Sequence, residues 1–339
     1  MAVTMKEVLV SEGPIAQIHD VPIPKPAAGQ LVIKVIVSGS NPKDWKVPIW
    51  FNRTLNSGDD IAGVVHEVGK DVVEFKVGDR VAAFHEMMEP GGSYAEYAVA
   101  WQHTTFHIPD ETTYEEAAAI PLAAMTSAVA LYIRLKLPQP WLPATEPIPL
   151  VIYGGASAVG AYAIQLAQRS NIHPLICVAG SSMAHVEKLI DRSKGDVILD
   201  YREGNDALVE ALRKAANGKP LLYALDAVSK PWSYVNLFKV LADGAKITWV
   251  QDVEASEVPS QFEHSRTRVG SVHQDAKDFG HVYFRYFARG LQEGWFKPQP
   301  QEVVPGGLGG VQHALENLRD GKANAVKYVF RIADTVGVN

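Results

Sequence analysis

The sequence predicts an α/β protein in two parts, a β-barrel-like domain and a doubly wound parallel sheet. Three observations carry this. Residues 1 to 110 consist of short β-rich runs punctuated by glycine and proline, with no lasting helical period. From Val151 to about Gln251, short apolar runs alternate with helical segments, the pattern of βαβ units. At the start of that alternation, IPLVIYGGASAVGAYAIQLAQ (residues 148–168) reads as strand, tight turn and helix.

Size and charge bound the function. The 339 residues, 47% of them hydrophobic, suffice for two cores. A formal net charge of −6 without long like-charge runs leaves no electrostatic footprint for nucleic acid or an anionic membrane surface. The opening MAVTMKEVLVSEG lacks the basic start and apolar core of a secretory signal, and no run reaches the ~18 apolar residues of a membrane span. A soluble, cytoplasmic protein is expected. The single cysteine, Cys177, excludes an internal disulfide and any multi-cysteine metal site.

In chain order, strands are expected at 7–10, 31–37, 63–68, 80–84, 95–99 and 105–108. Two turns lie among them, Ser40-Asn-Pro-Lys-Asp-Trp-Lys46 and Gly58-Asp-Asp-Ile-Ala-Gly63, each in itself ordinary loop chemistry. EEAAAIPLAAMTSAVALYIRL then reads as two helices broken at Pro121. After the central strand and helix come strands at 174–178, 197–199, 221–225 and 245–250, with helices at 183–191, 205–216 and 233–241. An irregular Ser-, Glu- and His-rich stretch fills 251–274. A helix at 278–292, a glycine cluster at 306–310, a helix at 311–320 and a strand at 327–332 close the chain, and this last part is expected to return to the first domain.

In the central turn, Gly155, Ser157 and Gly160 occupy the three positions of the dinucleotide fingerprint, with serine where the middle glycine usually stands. Small residues let backbone approach a pyrophosphate, and the first amides of the following helix, unpaired within it, point at the anion. An ordinary glycine-rich corner would look similar, so the neighbouring segments must decide.

Taken together, NPKDWK, GxDxAGxVxEVGxxVxxFKVGDRV, AAAIPLAAMTSAVAL, GGASAVG, LDYRE and GGLGGVQHALENLRDGKANAVKYVF resemble, in this order and over almost the whole chain, the medium-chain dehydrogenases/reductases. Within that superfamily the chain is most similar to the zinc-independent fungal enoyl-reductase-like branch, which includes trans-acting enoyl reductases of polyketide pathways and lies near the quinone oxidoreductases. The resemblance implies a GroES-like catalytic domain over 1–123, a Rossmann NADP-binding domain over 124–265, and a return to the catalytic domain over 266–339.

Zinc is not expected. Asn41 stands where zinc-dependent members carry a metal-binding cysteine, and Gly58-Asp59-Asp60 replaces their Gly-His-Glu triplet. His66, His85, His103 and His107 show no paired ligand spacing. Without a Lewis acid, alcohol oxidation of the zinc type loses its means of stabilising an alkoxide, whereas reduction of a conjugated C=C bond needs only hydride at the β carbon and a donor to the carbonyl oxygen.

NADPH is the expected cofactor. An NAD-preferring site places Asp or Glu after the second strand, but here Ala179-Gly180-Ser181-Ser182-Met183-Ala184 follows, with no carboxylate before Glu187. Ser181 and Ser182 offer donors to a 2'-phosphate, and Lys188 or Arg192 offers charge; capping of the next helix is the competing use of the serines. By resemblance, Tyr201 lies against the adenosine phosphate. The turn residues Gly155, Ala156, Ser157, Ala158, Val159 and Gly160 hold the pyrophosphate, with the Ser157 hydroxyl as a further donor. The resemblance also brings Asn41, Asp44, Trp249, Val250, Ala325 and Val326 to the cofactor.

For catalysis, Thr126 is expected to hydrogen-bond the carboxamide or ribose, and Lys46 to polarise a substrate carbonyl or hold a phosphate, a solvated surface lysine being the alternative. Trp45, Met125, Ser127, Leu131 and Phe284 are expected on the substrate side. Trp50, Phe51 and Trp249 are further candidates for an apolar acceptor pocket, or plain core. No Ser-Tyr-Lys type acid is evident, so the proton is assigned to water. Three functions fit: an NADPH-dependent enoyl reductase, acting on a small or carrier-tethered enoyl substrate with a polyketide synthase as candidate partner; a quinone or alkenal reductase; and a non-enzymatic NADPH-binding protein. Monomer and homodimer both remain open.

Overall fold

The structure, a computed structural model, describes residues 4–338. Its described residues divide into two compact units, one within Met1–Leu122 and Gly270–Asn339, the other Ala123–Val269.

The first unit opens with β1 (Thr4–Ser11) and β2 (Ile15–Pro22), an antiparallel pair. The sequence reading omitted β2 because its side chains are mostly exposed, so no inward apolar alternation marks it. β3 (Gln30–Gly39) runs into α1 (Lys43–Phe51), so the Ser40–Lys46 segment read as a turn is largely the start of a helix. β4 (Asp60–Val68), β5 (Arg80–Phe84), β6 (Tyr97–Trp101) and β7 (Thr105–His107) follow, then α2 (Tyr114–Ala118), whose Thr113 and Glu116 form a reciprocal capping box. α3 (Pro121–Ala128) begins at the proline, which is favourable where no amide partner is needed, and continues into a π-helical stretch over Val129–Arg134.

The second unit holds β8 (Leu150–Tyr153), α4 (Ala158–Arg169), β9 (Leu175–Ala179), α5 (Met183–Glu187), β10 (Val197–Asp200), α6 (Asn205–Ala216), β11 (Tyr223–Asp226), α7 (Pro231–Phe238), β12 (Lys246–Trp249) and β13 (Glu263–Arg266). All six strands run parallel in the order β10-β9-β8-β11-β12-β13. Every residue of β8 and β9 is buried, as a sheet covered on both faces demands. The sixth strand, Glu-His-Ser-Arg, escaped the sequence reading because it carries no apolar residue; its ladder to β12 alone defines it.

The chain then returns to the first unit through α8 (Lys277–Glu293), β14 (Gln301–Val303), α9 (Val311–Arg319) and β15 (Lys327–Arg331). β15 pairs antiparallel with β3, inside the seven-stranded sheet β14-β15-β3-β4-β5-β7, and β6 also pairs with β3. Val8, Leu31, Ile33, Ile61, Val81, Leu315 and Phe330 share that unit's core. No helix among the described residues is long and apolar enough to cross a membrane.

Candidate functional site

In the second unit the turn after β8 is built by two glycines and a serine. Gly154 has φ +84°, which suits glycine, and a Cβ on Gly160 would stand 2.2 Å from the Gly154 carbonyl oxygen. Gly155, the first residue of the sequence fingerprint, is less demanding: its added Cβ would meet Cys177 Cβ at 3.3 Å. The amides of Gly154 and Gly155 both donate to Val178 O, which fastens the turn to β9. Ser157 caps α4: its Oγ accepts from the Gly160 amide at 3.1 Å and donates to Gly154 O at 2.7 Å. That single hydroxyl proton is committed within the turn. Ser157 therefore does not donate to an anion as expected from sequence; it shapes the backbone instead. Ala158 and Val159 open the helix, whose own carbonyls offer their amides no acceptor, and both residues are half-buried.

Beyond β9, neither the Ser181 nor the Ser182 hydroxyl makes a hydrogen bond among the described residues, and Ser182 precedes α5 without a side-chain cap. The capping use of these serines is thereby set aside. Arg192 is spent on Glu187, to which its Nη2 and Nε donate at 2.6 and 3.0 Å. Lys188 is exposed and has no ion-pair partner among the described residues. Tyr201 lies across the Gly180 turn, its hydroxyl 2.9 Å from where a Gly180 Cβ would stand. Val250 follows β12, its amide donating to Ser229 Oγ at 3.0 Å. A small-residue turn, open helix amides, free hydroxyls and an unpaired ammonium together fit a nicotinamide dinucleotide.

Other expected site residues are closed off. Met125, Leu131 and Trp249 are buried; Trp249 stacks on His264. Ser127 Oγ donates to Val159 O at 2.7 Å and lies 3.0 Å from Ala123 O, anchoring α3 to the first turn of α4 rather than offering a hydroxyl to substrate. Phe284 in α8 is fully buried against Phe106 and Phe287, so it is a core ring rather than an acceptor-pocket wall. Thr126 differs from these in keeping a 5% exposed edge.

The first unit contains a buried ionic network that the sequence reading missed. Lys327 Nζ, at the start of β15, donates to Asp60 Oδ2 at 2.6 Å and to Asn41 Oδ1 at 2.7 Å, while Asn41 Nδ2 donates to the same Asp60 oxygen at 2.7 Å. Asp60 Oδ1 accepts from the Leu122 amide. Lys43 pairs with Asp59 and, at 3.0 Å, with Asp44. Asp44 also accepts from the Asn41 amide and the Tyr94 hydroxyl. The side chains of Asn41 and Asp44 are thus engaged in hydrogen bonds within the unit. Lysine ammonium groups stand among the residues that replace the family's zinc ligands. Lys46 rests its Nζ 5.5 and 5.9 Å from the ring centroids of Trp45 and Trp50; Trp45 is half-buried on the unit's core, and Trp50 and Phe51 are exposed. Ala325, just before Lys327, is held at φ +53°, an uncommon conformation for a residue with a Cβ. Val326 is half-buried against the same core.

Burial pushes the Asp59 carboxyl up to about 6, against the pull of Lys43. Because its folded-state value lies above the unfolded one, the stability it confers is complete below about pH 4 and lost as pH rises through about 6. Asp59→Asn, which cannot titrate, should therefore gain on the parent by about 2 kcal/mol between pH 4 and pH 7. Denaturant titrations giving a pH-independent difference between the two proteins would contradict this.

A β-rich unit and a second unit built on a parallel six-stranded sheet with a glycine-rich turn after its central strand define a two-unit, nicotinamide-dependent oxidoreductase. Residues 27–110 match the alcohol dehydrogenase GroES-like domain. Trans-enoyl reductase fsr4 of Gibberella fujikuroi (strain CBS 195.34 / IMI 58289 / NRRL A-6831) is 53% identical over 311 residues, covering 90% of this chain and 92% of that protein. Trans-enoyl reductase resD of Aspergillus sclerotiorum is 30% identical over 355 residues, covering 94% and 98%. Among solved structures, the CurK enoyl reductase superposes with a TM-score of 0.77 at 18% identity over 97% of this chain and 99% of that one. The quinone oxidoreductase from Coxiella burnetii gives 0.76 at 22% identity, with coverage of 97% and 99%. The chain belongs to the medium-chain dehydrogenase/reductase family, among the fungal trans-enoyl reductases.

Proposed function

We propose that the protein is an NADPH-dependent reductase of conjugated C=C bonds, working on a carrier-tethered enoyl thioester of a polyketide synthase without a metal ion. The observation that carries the reading is the pairing of the Gly154 turn with the uncommitted Ser181 and Ser182 hydroxyls and Lys188, in a chain so similar to a trans-enoyl reductase. When bound, the reduced nicotinamide supplies the hydride. The backbone of Gly155–Gly160 receives the pyrophosphate on the Ala158 and Val159 amides, and Ser181, Ser182, Lys188 and Tyr201 receive the 2'-phosphate. Thr126 orients the carboxamide or ribose. Lys46, its ammonium partly desolvated by Trp45 and Trp50, polarises the thioester carbonyl as negative charge develops on oxygen, and water protonates the α carbon.

Oxidation of NADPH measured in parallel with crotonyl thioester, a short enal and a quinone tests the activity. Turnover confined to the quinone would replace this reading with the quinone-reductase one, and tight binding without turnover on any acceptor would make the protein a non-catalytic NADPH binder. NADPH should bind at least tenfold more tightly than NADH, since one charge-assisted hydrogen bond is worth about 1.5–3 kcal/mol. Equal affinities by nicotinamide fluorescence would remove the assignment of Ser181, Ser182 and Lys188. Exhaustive chelation should leave turnover unchanged; loss restored by zinc would show that Asn41, Asp59 and Asp60 do not describe the working site.

A further inference from the structure

Two large aromatic side chains stand exposed at the carboxyl ends of the parallel strands, Trp232 at 43% and Tyr201 at 40%. They pack on each other with ring centroids 5.5 Å apart and planes 31° from parallel. Tyr201 follows β10 and Trp232 follows β11, strands separated in the sheet by β9 and β8. The rings therefore meet over the two turns, at Gly180 and Gly154, to which the phosphates are assigned. Tyr201 covers Gly180, and Trp232 reaches back to Tyr153, the last residue of β8, at 6.0 Å.

The loop presenting Trp232 is rigidly built. Asp226, fully buried at the end of β11, accepts from the Val228 and Ser229 amides at 2.9 and 2.8 Å and from Ser233 Oγ at 2.6 Å. These bonds hold Ser229 at φ +56°, a conformation that a serine adopts only when its surroundings impose it. The same loop places Val228 Cγ2 2.8 Å from where a Gly154 Cβ would stand, so it is registered directly against the phosphate turn. A strained loop, clamped by a buried carboxylate, that holds an indole in solvent needs a reason beyond packing, and a flat apolar ligand beside the phosphates supplies one.

We propose that the exposed face of the Trp232–Tyr201 pair is the stacking platform for the purine of the dinucleotide, with Trp232 the principal binding residue. This rests on the dinucleotide reading of the Gly154 turn. Both side chains remain exposed although they pack on each other, and stacking is favourable for any base regardless of its hydrogen-bonding edge.

The test uses the full chain and three ligands: NADPH, 2',5'-ADP, which carries the purine without nicotinamide, and reduced nicotinamide mononucleotide, which carries nicotinamide without the purine. Trp232→Ala should weaken NADPH and 2',5'-ADP about tenfold or more by calorimetry, leave reduced nicotinamide mononucleotide unchanged, and abolish the tryptophan quenching that 2',5'-ADP causes in the parent. Trp232→Phe keeps a stacking face and should retain most of the affinity, which separates a lost platform from a damaged fold. Undiminished 2',5'-ADP binding by Trp232→Ala overturns the proposal, as does an equal loss for all three ligands. A parent chain that binds neither NADPH nor 2',5'-ADP overturns instead the dinucleotide reading beneath it.

Discussion

Ser157→Leu should lose NADPH binding altogether, whereas Ser157→Ala should keep it within about tenfold. Both substitutions remove the Oγ that caps the Gly160 amide and holds Gly154 O, so both should lose the same helix cap, worth about 0.5–2 kcal/mol. Their melting temperatures should fall together, by a few degrees. Affinity separates them. The Ser157 hydroxyl is occupied inside the turn, so Ala deprives the phosphates of no direct donor, and only the looser turn geometry weakens binding. Leucine projects an isobutyl group from a half-buried position beside the open Ala158 and Val159 amides, the place proposed for the pyrophosphate. Fluorescence titration of NADPH against the two variants at matched stability reads the difference. Parent-like binding by Ser157→Leu would move the cofactor off this turn.

What was legible in the sequence follows from where apolar periodicity and backbone chemistry leave marks. The Asn205–Ala216 helix is read with its observed ends because its apolar stripe, its basic last turn and Asn217 in the left-handed C-cap agree. The Gly154 turn is legible because left-handed and close-packed positions exclude most side chains. By contrast β13 is polar throughout and exists only through its neighbour, and the helix after β9 stops at Glu187 rather than Asp191, a boundary no capping residue announces. Roles that depend on where a hydroxyl proton goes were out of reach: Ser127 and Ser157 look available in sequence and are committed in the fold. Arg192 was likewise offered to phosphate on charge alone, and its bidentate bond to Glu187 is a matter of side-chain geometry five residues away. Asp226 and Trp232, which frame the strand ends, carry no motif at all.

The buried pair Lys327–Asp60 leaves a mark in the sequence: a lysine directly before the apolar Tyr-Val-Phe of β15, and an aspartate opening β4. Charges almost never enter a core unless paired, so each implied a partner, although not which one. The fold supplies it by laying β15 and β4 on either side of β3. Lys327→Met should consequently be among the most destabilising single substitutions in the chain. It leaves the Asp60 carboxylate, 0% exposed, with donors from Asn41 and Leu122 but no countercharge, at a cost of about 3–5 kcal/mol. In a unit of this size that corresponds to a fall of about 10 °C in Tm. The double variant Lys327→Met/Asp60→Asn removes the stranded charge, keeps a carbonyl oxygen for the Leu122 amide and turns its NH2 toward the Asn41 side chain, whose own oxygen Lys327 no longer occupies, so it should recover most of the loss. A Lys327→Met protein within 1 kcal/mol of the parent would mean that Asp60 stays solvated or protonated in the fold; strictly additive losses in the double variant would mean that the two residues act separately. The expected non-additivity is the signature of one buried ion pair that joins the carboxyl-terminal strand to the Asn41 segment, and with it holds the Ala325–Val326 edge in place.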